Sequence, residues 1–249
     1  QIDVKKHTEY DEDDFCINGQ DSPKWEDTVQ EVIAHLGGRT FRETAEEEII
    51  STLHKDVTGY RGQMYMKLNG KTILFLGSSV TYGSASGGVS FADIMAESLH
   101  FHSIKEAVSG TTLADLDESS YVARLKKLDP QTHVDLLICQ LSTNDASRNI
   151  PLEKTEDAIR TILEYTKNTF GCPVVFYTGT YFESNAYEAM IRLLYSLRAE
   201  YDFSILDLFN DPTMRAIAPE DYARYMSDPI HPNLLGYRAW WTPKFVEFC

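Results

Sequence analysis

Lys71-Thr72-Ile73-Leu74-Phe75-Leu76 leads directly into Gly77-Ser78-Ser79-Val80-Thr81-Tyr82-Gly83, so an apolar segment is followed by a turn of small residues. The apolar segment is typical of a parallel strand that is covered on both faces. Ser79 lies at the apex of the turn, at the predicted carboxyl end of this strand. Open α/β sheets bind their ligands in the crevice above that end. Ser79 therefore stands where a nucleophile is expected.

Beyond residue 71, apolar segments alternate with helical segments. Strands are predicted near 72–77, 103–108, 134–140, 173–178 and 203–207, and helices near 90–99, 120–127, 153–169, 185–200 and 236–247. This alternation indicates a parallel sheet with helices on both faces. Asn69-Gly70 is a hairpin signal, but a central parallel strand has both edges occupied. A plain turn is therefore expected there.

The first seventy residues differ from the rest of the chain. Five of the six residues in 9–14 are acidic, which is typical of a solvated or disordered arm. One helix is predicted from Ser22-Pro23 to Gly37-Gly38, and a second begins at Thr44, which forms a capping box with Glu47. Residues 1–70 are predicted to be an acidic helical extension, a cover or lid, on a domain formed by residues 71–249.

Length and charge narrow the classes of partner. With 249 residues, 43% of them hydrophobic, the chain has enough apolar material for one catalytic domain with an appendage. The net charge of −15 repels phosphate backbones and anionic bilayers. Nucleic acid is therefore not an expected partner. A small neutral or sugar-like molecule is the expected substrate. No apolar run approaches the ~18 residues of a membrane span, and the oligomeric state stays open.

Cysteine usage bears on the compartment. Cys16, Cys139, Cys172 and Cys249 lie far apart, and none belongs to a CxxC pair. This spacing fits neither a zinc knuckle nor a disulfide framework, so free thiols in a reducing compartment are predicted. The protein is accordingly expected to be soluble and cytoplasmic. Its start at Gln1 rather than Met leaves an export signal open.

A second candidate for chemistry is Asp228-Pro229-Ile230-His231-Pro232, near the other end of the chain. A serine hydroxyl becomes a good nucleophile when an imidazole takes its proton and a carboxylate orients that imidazole. His231 and Asp228 supply both groups from one loop. The order Ser, Asp, His also occurs in α/β-hydrolases, but their G-x-S-x-G elbow is absent here. A different serine-hydrolase fold is predicted.

Two further segments offer donors for an oxyanion. Gly110 follows the second predicted strand, and a glycine amide can approach a ligand closely. Asn144 follows the third strand and has a side-chain donor. Because the carboxyl ends of parallel strands meet at one edge of the sheet, both residues are expected to converge on Ser79.

Each of these residues also has a structural alternative. Ser79 alone fits a helix cap or a turn, and Asp228 with His231 fits a structural hydrogen-bonded pair. Asn144 before an aspartate often makes a turn. Gly110 fits a position with positive φ, which is compatible with an amide donor. The combination of Ser79 with a distant Asp-x-x-His-Pro motif favours the catalytic interpretation.

Three other features have weaker signals. His100 and His102 alternate as metal ligands on a strand do, but no cysteine or carboxylate cluster completes a site, so no metal is expected. Tyr181-Phe182 follows the fourth strand and either lines a pocket or packs in the core. Trp240-Trp241 could also line an acyl or sugar pocket, but it is predicted to pack the last helix against the sheet.

The segments that carry Ser79, Gly110, Asn144 and His231 resemble, in order and context, four blocks of the SGNH or GDSL hydrolase superfamily. The resemblance extends over roughly residues 71–249. It implies a flavodoxin-like α/β/α three-layer sandwich with a five-stranded parallel sheet, and ester hydrolysis without a cofactor.

The resemblance also implies a role for each matching residue. Ser79 would be the nucleophile and a backbone donor to the oxyanion, and Gly110 and Asn144 would complete the oxyanion hole. His231 would be the base, with Asp228 as its orienting carboxylate. Two positions depart from the family pattern. Ser78 replaces the aspartate of the first block, and Ser142 replaces the glycine of the third.

The expected function is therefore serine-dependent hydrolysis of short carboxylic esters through an acyl-enzyme. O-acetylated carbohydrate is the favoured substrate, because the acidic chain disfavours anionic lipid. The alternatives in the same family are a lysophospholipase, a thioesterase-type acylhydrolase and an O-acyltransferase. A further alternative is a glycan-binding module on a hydrolase fold without catalysis.

Overall fold

The computed structural model describes residues 67–249, so the predicted extension at 1–70 lies outside the described residues except for its last four. The strands of this part form one sheet: β1 (Thr72–Gly77), β2 (His102–Ala107), β3 (Leu136–Gln140), β4 (Val174–Tyr177) and β5 (Ser204–Leu206). All neighbouring strands are parallel, and their order is β2-β1-β3-β4-β5. This is the strand order of flavodoxin-like folds. The predicted fold class is confirmed.

Helices flank this sheet. They are α1 (Ser79–Tyr82), α2 (Phe91–Leu99), α3 (Tyr121–Lys127), α4 (Thr143–Ser147), α5 (Leu152–Thr169), α6 (Asn185–Leu197), α7 (Pro212–Arg215), α8 (Pro219–Tyr225), α9 (Leu234–Gly236) and α10 (Thr242–Phe248). A short 3-10 turn covers Ser84–Ser86, and a π-helical turn, Tyr237–Trp241, joins α9 to α10. The helix predicted at 185–200 ends earlier, at Leu197, and the one predicted at 236–247 is divided by the π-helical turn.

The sheet has a packed layer on each face, because successive side chains of a strand point to opposite sides. Leu74 and Leu76 of β1 join one cluster with residues of α3, α5 and α6. Phe75 points the other way, and its ring centroid lies 5.8 Å from that of Phe91 on α2. Phe91 in turn stacks on Phe245 of α10 at 3.8 Å. These two layers make the predicted three-layer sandwich.

The turn before β1 is the plain turn that the parallel sheet requires. The Lys71 amide donates to the Leu68 carbonyl at 3.0 Å. Gly70 has a φ of 72°, a conformation that favours glycine. β1 then pairs with β2 on one side and β3 on the other, so Asn69-Gly70 begins no hairpin.

The two adjacent tryptophans have different surroundings. Trp241 is fully buried, as predicted for a residue that packs the end of the chain against the sheet. Trp240 is only partly buried and contacts the rings of Tyr222 and Tyr225 on α8. The prediction therefore holds for Trp241 and is wrong for Trp240.

Two further predictions concern thiols and membrane segments. Cys139, Cys172 and Cys249 are free cysteines, and Cys16 lies outside the described residues. Within 67–249, no helix has the length and apolar character needed to cross a bilayer.

Candidate active site

Ser79 is the first residue of α1 and follows β1 after a single intervening residue. The turn needs a glycine at its start, because a Cβ on Gly77 would lie 1.8 Å from the Thr81 hydroxyl oxygen. It ends at Gly83, which has a φ of 88° and whose amide donates to the Ser79 carbonyl. The small residues of the motif thus allow a strand to change into a helix within two positions. Ser79 is 8% exposed at this corner.

A chain of hydrogen bonds connects Ser79, His231 and Asp228. The Ser79 Oγ lies 2.8 Å from the His231 Nε2. The His231 Nδ1 lies 2.7 Å from Asp228 Oδ2 and 2.9 Å from Asp228 Oδ1. An imidazole in this position can take a proton from the hydroxyl while the carboxylate fixes its tautomer. The structure therefore brings these three predicted residues together across 152 positions of sequence.

The loop that carries Asp228 and His231 is closed by its own backbone. The Asp228 Oδ1 accepts hydrogen bonds from the amides of Ile230 and His231 at 2.7 and 2.8 Å, and the Ser227 amide donates to the His231 carbonyl at 2.8 Å. Burial raises the pKa of Asp228, but the hydrogen bonds from the Ile230 amide and from His231 outweigh it and leave this pKa below its ordinary value. Asp228 is thus kept as a carboxylate, the form that can orient an imidazole.

Gln140 and Tyr237, which sequence analysis did not identify, hold the nucleophile turn. The Gln140 Oε1, at the end of β3, accepts from the Ser78 amide at 3.0 Å and from the Thr81 hydroxyl at 2.8 Å. The Tyr237 hydroxyl, on the π-helical turn, donates to the Val80 carbonyl at 2.7 Å. A polar glutamine at the buried end of an apolar strand was the one sequence signal for this role. Tyr237 gave none.

Asn144 lies on α4, directly after β3, and lines the same cavity as Ser79. Its Nδ2 donates to the Thr111 carbonyl at 2.8 Å. A side-chain amide has two N–H donors, so one remains for another acceptor. Asp145, the next residue, accepts from the amides of Leu113 and Ala114 at 2.8 and 2.9 Å. Asn144 and Asp145 therefore hold the segment that follows Gly110.

Gly110 occupies a tight turn between β2 and α3. The Thr111 amide donates to the Val108 carbonyl at 3.3 Å, and Gly110 has a φ of 79°. A positive φ at the third residue of such a turn defines type II. The Arg148 guanidinium donates to the Gly110 carbonyl at 2.7 Å. Gly110 is thus joined to the site through Thr111, but it is not among the residues that line the cavity.

The cavity beside Ser79 has a volume of about 300 Å³. Its lining residues are Ser79, Thr143, Asn144, Ser147, Phe182, Glu183, Ser184, Ile230 and His231. Phe182 therefore lines a pocket, which is one of the two options that the sequence left open. Its neighbour Tyr181 instead packs against Phe209 and beneath the guanidinium of Arg215, at 5.1 and 3.9 Å.

Cavities that bind small ligands usually have volumes of roughly 300–1,000 Å³, so this one is small. Glu183 is its acidic lining residue, and serine, threonine and asparagine supply most of the other polar groups. Within residues 67–249, no three His, Cys, Asp or Glu side chains form a group that could hold a metal ion. The pair His100 and His102 belongs to no such group.

One family model matches this chain, and several solved structures share its fold. The model of the GDSL-like lipase/acylhydrolase family matches residues 75–239, more than half of the chain. The matched range contains all five predicted site residues. No curated protein matches the chain.

Several solved structures have the same fold. A protein from Lactobacillus plantarum is 22% identical and covers 73% of this chain and 97% of its own, with a TM-score of 0.61. Axe2, an acetylxylan esterase from Geobacillus stearothermophilus, is 18% identical over 72% and 94%, with a TM-score of 0.56. A family two carbohydrate esterase from Clostridium thermocellum, solved in complex with cellohexaose, is 14% identical over 72% and 63%, with a TM-score of 0.54.

At these identities, the structural likeness shows a shared fold. The family match depends on the sequence itself and includes the segments around Ser79 and His231. The chain belongs to the GDSL-like lipase/acylhydrolase family of hydrolases.

Proposed function

We propose that the protein is a serine esterase that removes short acyl groups, with acetyl esters of carbohydrate hydroxyls as its substrate class. The observation that carries this proposal is the line from Asp228 through His231 to Ser79, with 2.7 and 2.8 Å between the bonded atoms. A hydroxyl, an imidazole and a carboxylate at these distances are the parts that nucleophilic acyl transfer needs.

In the first step, the Ser79 Oγ attacks the ester carbonyl carbon while the His231 Nε2 takes the hydroxyl proton. The carbonyl oxygen becomes negative and accepts hydrogen bonds from the amides of Ser79 and Gly110 and from the Asn144 Nδ2. Asp228 stabilises the imidazolium. When the carbon–oxygen bond of the ester breaks, the leaving alkoxide takes the proton from His231 and departs as the alcohol.

In the second step, water takes the place of the alcohol. His231 accepts a proton from this water, whose oxygen attacks the acyl carbon of the acyl-enzyme. The same donors hold the second oxyanion. The bond to the Ser79 Oγ then breaks, Ser79 recovers its proton from His231, and the carboxylic acid leaves.

The proposed substrate class is supported by the size and lining of the cavity. A volume of about 300 Å³ favours a short acyl group over a long chain. The hydroxyl and amide groups of Thr143, Asn144 and Ser147 suit a polyhydroxylated alcohol, and Glu183 disfavours an anionic one. The names of two structural neighbours, an acetylxylan esterase and a carbohydrate esterase, agree with this class.

The direct test is hydrolysis of p-nitrophenyl acetate by Ser79→Ala. Loss of the nucleophile is expected to lower kcat by about 10⁴-fold or more and to abolish labelling by a fluorophosphonate. Ser98→Ala is the matched control, because Ser98 is an exposed serine on α2 whose hydroxyl donates to the Ile94 carbonyl of the same helix. Undiminished turnover by Ser79→Ala would refute the nucleophile assignment.

A second experiment tests the substrate class. A series of p-nitrophenyl acetate, butyrate and octanoate is expected to give kcat/KM values that fall with chain length, and acetylated xylose is expected to be deacetylated. Faster turnover of octanoate than of acetate would contradict the proposed short-acyl preference and leave the serine mechanism standing.

A further inference from the structure

Arg124 is a buried cation next to the nucleophile turn, and neither the family motifs nor the mechanism above includes it. Its side chain is 8% exposed. Burial of a charged group is costly unless the group is well paired and hydrogen-bonded. The guanidinium nitrogens of Arg124 make four hydrogen bonds, and its Cζ lies 5.3 Å from the ring centroid of Tyr121.

The acceptors of Arg124 belong to the segments around the site. Its Nη2 donates to the Gly77 carbonyl at 2.7 Å and to the Thr111 hydroxyl at 3.3 Å. Its Nη1 donates to the Glu106 carbonyl at 2.6 Å. Its Nε donates to the Ser119 carbonyl at 2.9 Å. One guanidinium therefore joins the end of β1, the end of β2 and the loop before α3.

Two of these contacts are adjacent to groups that the proposed mechanism uses. Gly77 lies two residues before Ser79, and Thr111 lies directly after Gly110. Thr111 also accepts the hydrogen bond from the Asn144 Nδ2. The same Nη2 of Arg124 thus contacts the nucleophile segment and the segment that carries Gly110. Its contacts therefore span the two segments.

We propose that Arg124 is a positioning residue, which holds the nucleophile segment and the oxyanion segment at the separation that acyl transfer needs. The proposal rests on the proposed esterase function. Misplacement of reacting groups by about 1 Å can cost roughly 10²-fold in rate. Arg124 is therefore expected to affect kcat strongly although it contacts no substrate.

The geometry requires an arginine rather than any cation. A guanidinium presents five N–H donors in a rigid planar fork, whereas a lysine ammonium has three donors at one point. The acceptors of Arg124 lie on four different residues in the sequence range 77–119. A lysine at this position keeps the charge but loses the bridge between Gly77 and Thr111.

The test compares Arg124→Lys with the wild type in p-nitrophenyl acetate hydrolysis. The variant is expected to lose about 10²-fold in kcat, with KM changed by less than about threefold, because the cavity wall at Phe182, Glu183 and Ile230 belongs to segments other than those that Arg124 bridges. The rate constant for fluorophosphonate labelling is expected to fall in parallel, since that reaction also needs the oxyanion donors. Urea unfolding gives the stability of each variant, and activity is measured where all are fully folded.

Arg160→Lys is the matched control. Arg160 also makes several hydrogen bonds, to Glu156 and Glu200, and its guanidinium lies 5.5 Å from the ring centroid of Tyr201. It lies on α5, and these three partners are not residues of the site. The control is expected to lose stability without a change in kcat.

If Arg124→Lys does not fold, Thr111→Val tests the bridge, because it removes a hydroxyl that accepts from Arg124 at 3.3 Å and also donates to the Val108 carbonyl at 2.7 Å, so that the oxyanion segment loses both contacts. This variant is expected to lose about tenfold in kcat. A folded Arg124→Lys or Thr111→Val with wild-type kcat would overturn the positioning role. An inactive wild type, or an active Ser79→Ala, would instead overturn the proposed esterase function, so the two failures are distinguishable.

Discussion

The substitution Gly110→Ala tests the backbone geometry of the proposed oxyanion loop separately from its packing. A Cβ on Gly110 would meet no heavy atom within 4 Å, so the substitution creates no clash. Its φ of 79° is the left-handed conformation, which costs an L-residue such as alanine roughly 1–2 kcal/mol. The variant can relieve this cost when the turn changes from type II to type I.

The change of turn type has a defined effect on catalysis. Types I and II differ in the orientation of their central peptide, which here is the one that contains the Gly110 N–H. Since about 1.4 kcal/mol is a factor of ten in an equilibrium constant, alanine is expected to shift the equilibrium from the type II turn toward type I by roughly tenfold. Complete loss of one oxyanion donor costs about 10²–10³ in kcat. We therefore expect kcat to fall by up to about 10- to 30-fold for Gly110→Ala, the size of the shift in the turn equilibrium, which is less than the loss of the whole donor.

Two further variants complete the experiment, with kcat measured on p-nitrophenyl acetate and stability by urea unfolding. Gly110→Asn is expected to keep most of the activity, because asparagine adopts the left-handed conformation more readily than alanine. Gly171→Ala is the control: Gly171 has a φ of 65° and an equally open Cβ position, but it lies between α5 and the start of β4, at the other end of the sheet. It is expected to lose stability while kcat is unchanged.

The reasoning fails if Gly110→Ala, although destabilised like Gly171→Ala, keeps the kcat of the wild type. The Gly110 amide would then not be an oxyanion donor. Equal losses of kcat in Gly110→Ala and Gly110→Asn would show that the side chain itself, and not the turn type, disturbs the site.

Glu183→Gln is expected to raise kcat/KM for a substrate with a carboxylate, such as 4-acetoxybenzoate, by about threefold relative to kcat/KM for phenyl acetate. This is the effect of removing one charge some 6 Å away in water. An unchanged ratio of the two kcat/KM values would contradict this. Asp211→Asn tests a carboxyl whose pKa is lowered to about 2 because hydrogen bonds, including one from Lys244, outweigh burial. The stability that comes from a lowered pKa is present above the ordinary value of 3.8 and is lost as the pH falls toward 2. In urea unfolding, the variant is therefore expected to be about 1–2 kcal/mol less stable than the wild type at pH 6. Near pH 2, its stability is expected to approach that of the wild type. Ser78→Asp restores the family residue but places a buried carboxylate beside the Gln140 Oε1, which is 3.4 Å from the Ser78 Oγ. The variant is expected to lose about 1–3 kcal/mol of stability. A variant more stable than the wild type would contradict this.

The fold could be predicted from sequence because burial on both faces leaves long apolar segments. β1 and β4 are almost entirely buried, and their sequences contain no polar residue that would mark an exposed face except Thr72. β2 was harder to delimit because it is an edge strand with polar residues at several positions, and its predicted range was one residue late. The break at Tyr237–Trp241 could not be predicted, because a π-helical turn has no distinct sequence pattern.

The site residues with short-range signals were also predictable. Asp228 and His231 are three positions apart, and Ser79 follows a clear strand. Arg124, Gln140 and Tyr237 lacked such signals because their contacts with the nucleophile turn, to Gly77, Ser78 and Val80, span 47 to 157 positions of the chain. Only the fold brings these donors and acceptors together, so a sequence pattern shows them as an ordinary arginine, glutamine and tyrosine.

The same long-range contacts explain why two departures from the family pattern are compatible with the site. At position 78, the contact that fixes the turn is made by the backbone amide, which donates to the Gln140 Oε1 at 3.0 Å. Any residue with an N–H can make it, so serine can replace the aspartate while Ser79 and His231 keep their 2.8 Å separation.

At position 142, the serine adds a contact that a glycine lacks. The Ser142 hydroxyl accepts from the Asp145 amide at 3.3 Å and so caps α4, the helix that carries Asn144. Such a cap contributes about 1 kcal/mol relative to alanine, and a few tenths relative to glycine. The energy is small, but the capped residue is Asp145, which holds the loop of Gly110 through Leu113 and Ala114. Ser142 therefore supports both predicted oxyanion segments, and its replacement of the family glycine leaves their hydrogen bonds intact.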